Sequence, residues 1–122
     1  MAFTRLPFPE LDWVEGEATA LERKKTREGT PATLLEFAAG FADPTWCVRG
    51  HVGLVLAGAV TFELEGSTVV IGEGEGFLID PGTRHRARND GKEPVRLFIV
   101  SPAFPGNGAE GGSRIVAAGG RQ

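Results

Sequence analysis

The sequence predicts an all-β domain, folded as a sandwich or a closed barrel. Three observations carry that expectation. Apolar residues recur at every second position in several short segments, the period of a strand with one buried face. No long segment shows the 3.6-residue apolar period of a helix. Glycine, 18 of 122 residues, cuts the body into pieces of strand length.

The elements follow in order. Residues 1–16 read as an N-terminal arm, and 17–104 as a single barrel. "TALERKKTRE" (19–28) is the best helical candidate. Its Ala18, Ala20 and Glu22 nevertheless alternate with Thr19, Leu21 and Arg23, so a strand running into a charged hairpin loop is preferred, with "RKKTR" solvated. Short strands are expected at 33–37, 52–57, 67–71 and 76–79. "AVTFELE" (59–65) alternates plainly: Val60, Phe62 and Leu64 take one face, while Thr61, Glu63 and Glu65 take the solvent face. In "RHRAR" (84–88) three arginines lie outward and His85 with Ala87 inward. "VRLFIV" (95–100) is apolar enough for burial on most of both faces. The joints "EGS", "GEGEG", "DPG" and "NDGK" have turn chemistry. Residues 105–122 are Gly-rich and read as a flexible tail, in which "RIVAA" could add an edge strand.

The bulk numbers exclude several function classes. A chain of 122 residues with 41% apolar content supports one core. A net charge of −3 leaves no basic footprint for nucleic acid or an anionic membrane. The N-terminus lacks a signal-peptide apolar region, and no run approaches a membrane span. The single cysteine, Cys47, cannot close an intrachain disulfide, which suits the reducing cytoplasm. Tyrosine is absent, and the three serines lack a G-x-S-x-G elbow, so tyrosine-dependent and Ser-His-acid mechanisms drop out. In "GEGEG" (72–76) Glu73 and Glu75 would repel phosphate and no helix follows, so this is a turn. Trp13 and Trp46 are candidates for a pocket mouth or for the core.

Two segments carry a more specific pattern. Gly74 is followed by "EGFLI", then "DPGTRH" and "RARN". This is similar to the second motif of the cupin family, with Gly82 as the turn glycine, His85 as its histidine and Asn89 as its closing asparagine. Asp80 stands where that motif usually has proline, and Pro81 comes one place later. Upstream, "TWCVRGHVGLVLAG" (45–58) resembles the first motif in its frame: Gly58 closes it, His51 falls at the usual glutamate, and Cys47 and Thr45 fall at the two usual histidines. The resemblance covers about residues 33–101. It implies a small single-domain cupin with a degenerate first motif, an antiparallel jelly-roll barrel, often dimeric and often metal-binding.

Cys47, His51 and His85 are good donors for a borderline-soft divalent metal, namely Zn, Fe, Cu or Ni rather than Mg or Ca. Geometry is the test. Residues i and i+4 of a continuous strand stand about 13 Å apart, so Cys47 and His51 converge only if the chain bends between them. Gly50 is the candidate bend. Thr45 is a poor ligand, which leaves three protein donors and an open position. The reading is a barrel that binds a metal through Cys47, His51 and His85 and a small organic ligand in a mostly apolar interior, with the reaction unassigned. The alternatives are a non-catalytic ligand- or metal-sensing cupin and a metal-free dimeric interaction module.

Overall fold

Nine strands carry the chain in the computed structural model, which describes residues 3–16 and 18–101. In chain order they are β1 (Val14–Glu15), β2 (Glu22–Thr26), β3 (Ala32–Phe37), β4 (His51–Ala57), β5 (Ala59–Leu64), β6 (Ser67–Gly72), β7 (Gly76–Ile79), β8 (His85–Arg88) and β9 (Val95–Val100). A short 3-10 turn, Phe8–Glu10, precedes them, and the described residues hold no α-helix. No helix among them is long and apolar enough to cross a membrane. Six strands form one sheet in the order β1-β2-β3-β9-β4-β7, and three form a second, β6-β5-β8. Every pairing is antiparallel. The two sheets close on one core, which is the jelly-roll barrel expected. The tail 105–122, with "RIVAA", lies outside the described residues.

Period 2 builds the core. Val60 and Phe62 of β5, Val55 of β4, and Val95 and Leu97 of β9 point between the sheets with Phe37 and Phe41. Each such side chain contributes about 1.5–3 kcal/mol on burial. The Phe37 and Phe41 rings stack at 4.1 Å between centroids. Gly58 lets the chain turn from the larger sheet into the smaller. Its φ is +80°, and a Cβ there would meet the Pro94 carbonyl oxygen at 2.8 Å.

Three expectations need correction. The basic run is a strand for most of its length, since β2 extends through Thr26 and the turn falls at 27–31. Pairing with β3 and cationic stacking on Trp13 hold it extended: Arg23 lies 4.3 Å and Lys25 5.0 Å from the indole centre. Thr61 is buried although its parity is outward, because Val70 and Arg88 flank it at the same register. β9 is buried on one face only: Val95, Leu97 and Ile99 are covered, whereas Arg96 is exposed and Phe98 is half-covered beside Phe8 of the arm.

Candidate metal centre

Cys47 and His51 lie in different layers. The stretch 41–48 runs beside β8, with Asp43 N–H donating to the Ala87 carbonyl. Cys47 and His85 exchange both backbone hydrogen bonds, at 2.8 and 2.9 Å. The chain then crosses over 48–50 and enters the larger sheet at His51. Two residues four apart therefore converge because the chain changes sheets between them. Gly50 permits the crossing by close approach: a Cβ there would meet Pro81 Cδ and Cγ at 2.8 Å. Gly82 N–H donates to the Val48 carbonyl at 2.7 Å and pins the same turn, and its φ of +93° requires glycine. The proline displaced by one place thus packs on the crossing.

The structure brings all three sequence-derived residues together. One donor atom from each of Cys47, His51 and His85 lies within 4.8 Å of the others, and Cys47 Sγ is 3.9 Å from His51 Nε2. A tetrahedral ion with bonds of about 2.0–2.3 Å spaces its ligand atoms by roughly 3.4–3.6 Å, so modest side-chain contraction closes the set. The imidazoles are oriented from behind. His51 Nδ1 is 2.7 Å from Ser101 Oγ, and His85 Nδ1 donates to the Thr83 carbonyl at 2.8 Å. Both Nε2 atoms are left free for the centre, the arrangement that fixes tautomer and aim in metal sites. Burial, then His85, then Arg49 hold the His51 pKa down to about 4, so its ring is neutral at pH 7. Arg49 N–H donates to Cys47 Sγ at 3.4 Å and helps hold the sulfur in place. The donor set fits a Zn-like ion with one position open to a ligand.

A pocket of about 200 Å³ opens onto this cluster. Phe62, Leu97 and Ile99 line it as expected, but Glu22, Lys24, Asp43 and Arg86 line it too. The interior is therefore more polar than the mostly apolar cavity the sequence suggested. β2 is the cause: Glu22 and Lys24 pair with Phe37 and Leu35 of β3 and share their pocket-facing side. Burial and the neighbouring Asp43 carboxylate raise the Glu22 pKa. Sequence reasoning missed Glu22, Lys24, Asp43 and Ser101 as site residues. Ser101 follows Val95, Leu97 and Ile99 at the same inward parity.

Of the remaining candidates, only Arg86 lines the pocket, and the others have structural partners elsewhere. Arg84, Arg86 and Arg88 pair with Glu65, Glu63 and, for Arg88, Asp90 as well. Glu63 is held below the usual carboxylate range by Arg86 and Arg88. Trp46 does not line the pocket beside Cys47, His51 and His85; Arg84 and Arg86 lie over its ring at 4.4 and 4.2 Å. Trp13 serves Arg23, Lys25 and Arg96 in the same way. Asn89, buried, donates to the Phe37 and Glu93 carbonyls and accepts from Gly91 N–H, a structural role.

The model of the cupin domain family matches residues 48–101. No curated protein matches the sequence. Among solved structures, KdgF from Halomonas sp. is similar with 24% identity and a TM-score of 0.68, over 85% of this chain and 97% of that one. A cupin-superfamily sugar phosphate isomerase from Silicibacter pomeroyi has 13% identity and a TM-score of 0.68, over 84% and 77%. The polyketide cyclase RemF from Streptomyces resistomycificus has 16% identity and a TM-score of 0.66, over 89% and 92%. At these identities the likenesses speak to fold. Residues 48–101 match the cupin domain model, and two antiparallel sheets closed on one core share their fold with these solved structures over most of the chain.

Proposed function

We propose that the protein holds a divalent transition metal through Cys47 Sγ, His51 Nε2 and His85 Nε2 and binds a small polar organic molecule beside it. One observation carries the reading: three donors from two sheets converge within 4.8 Å, with both imidazoles oriented from behind. Thiolate and imidazole favour Zn, with Fe, Cu and Ni as the other fits. A metal there supplies Lewis-acid polarisation of a bound oxygen or a lowered pKa for bound water. The chain's own residues do the rest. Lys24 and Arg86 offer positive charge to an acidic group of the ligand. Glu22, whose proton is held more firmly than usual, and Asp43 offer carboxylates for hydroxyls or for proton transfer. This supports an enzyme of open-site type, in a reducing compartment that keeps Cys47 a thiol.

The test is elemental analysis of the purified protein. Close to one transition metal per chain is expected, with loss in His85→Ala and Cys47→Ser. A metal-free wild type that also fails to take up Zn or Co would overturn the reading. A second reading, a dimeric interaction module, is favoured by the apolar outer face of the larger sheet. Val52, Leu54 and Leu56 of β4 and Leu78 of β7 are 41–47% exposed there. Metal content separates the two readings, because the module needs none.

A further inference from the structure

The barrel has a second opening, away from the metal centre. β6 and β7 are joined in sequence by a tight turn but belong to different sheets and do not pair. The seam between them leaves a cavity of about 270 Å³. Its walls are Leu64, Val69, Ile71, Phe77 and Ile79, and Phe62 is the partition it shares with the metal-side pocket. Protein interiors seldom leave voids much larger than a water molecule, and an apolar cavity of about 150 Å³ already accepts a benzene ring. The seam is therefore large enough for a small ring or branched alkyl group.

One polar feature interrupts the apolar wall. Asp80 lines the cavity with Thr83, and Asp80 Oδ1 is shut off from solvent without a hydrogen-bond partner. A buried acceptor left unpaired costs about 1–3 kcal/mol, more when charged. The backbone of the turn does not remedy this, since Thr83 N–H donates to the Asp80 main-chain carbonyl. The terminal torsion of Asp is broad and two-fold, so the carboxylate can rotate to present an oxygen to an occupant. Asp80 is also the residue that stands in place of the motif's usual proline. Here it is an acceptor at the rim of an apolar slot.

We propose that the β6–β7 seam is a second ligand site, for a small apolar molecule carrying a primary ammonium group that binds Asp80. The apolar body fills the space between Leu64, Ile71 and Phe77, and the ammonium donates to Asp80 Oδ1, the oxygen that lacks a partner. A carboxylate-bearing ligand of the same shape is rejected by the like charge of Asp80.

Benzylamine and benzoate are matched probes for the full chain, followed through amide resonances by NMR titration. Benzylamine at concentrations up to about 10 mM, the range where weak ligands register, is expected to shift Leu64, Ile71 and Thr83 amides, and benzoate is not. Asp80→Asn should weaken benzylamine roughly tenfold by removing the charge-assisted hydrogen bond. Val69→Phe should block the cavity while leaving metal content unchanged, and it serves if Asp80→Asn folds poorly. Cys47→Ser should leave benzylamine binding intact. Equal binding of the two probes overturns the proposal, as does absence of benzylamine binding or shifts confined to residues around His51 and His85. Binding unaffected by either seam variant also overturns it.

Discussion

At the residue scale, the candidate metal centre is shaped by groups outside its donor set. Ser101 Oγ fixes the His51 ring and Thr83 fixes His85, but only Ser101 does so through a side chain that can be removed. Ser101→Ala is expected to weaken Zn affinity about 10–100-fold while leaving the urea midpoint nearly unchanged. Competition with a chromophoric chelator measures the first and denaturation the second. An unchanged affinity would mean that packing alone holds the His51 ring. The three donors could be read from their chemistry and from the motif frame. Ser101 could not be singled out, because a lone serine after an apolar strand carries no chemical signal until its hydrogen-bond partner is known.

At the element scale, the decisive event is the crossing at 48–50, where the chain leaves the β8 layer and enters β4. Gly50 and Pro81 pack closely there, so the Cβ of Gly50→Ala would fall 2.8 Å from the Pro81 ring carbons Cδ and Cγ. The variant should lose about 1–3 kcal/mol of stability, as overpacked sites do, and should also bind metal more weakly. Thermal unfolding and chelator competition check the two parts. The strands themselves were legible, since alternation in 59–65 and 84–88 reports which face meets the core. The sheet change was not, because period 2 gives a strand's faces without saying which sheet it joins. The length of β2 and its place in the pocket wall escaped for a related reason. Its charged residues look solvated in sequence, whereas Trp13 and Glu36 support Arg23 on one side and the pocket receives Glu22 and Lys24 on the other.

At the scale of the whole molecule, the outer face of the larger sheet is the feature that solvent leaves uncompensated. Leu54 sits at its middle, paired in register with Phe98 of β9 and Gly76 of β7. This apolar patch adjoins an ion-paired stretch of the same sheet, Arg23, Glu36 and Arg96, and dimers are the commonest closed assembly. The protein is expected to sediment as a dimer and Leu54→Glu as a monomer; a wild-type monomer at micromolar concentration would remove the dimer reading. The arginine-capped tryptophans have a different consequence. Trp13 sits against the larger sheet and Trp46 beside the smaller, and there is no tyrosine to add background emission. The molecule thus carries one intrinsic fluorophore per layer. Trp13→Phe and Trp46→Phe would each leave a single optical reporter, and the pair would reveal whether the two halves of the barrel part together or in sequence.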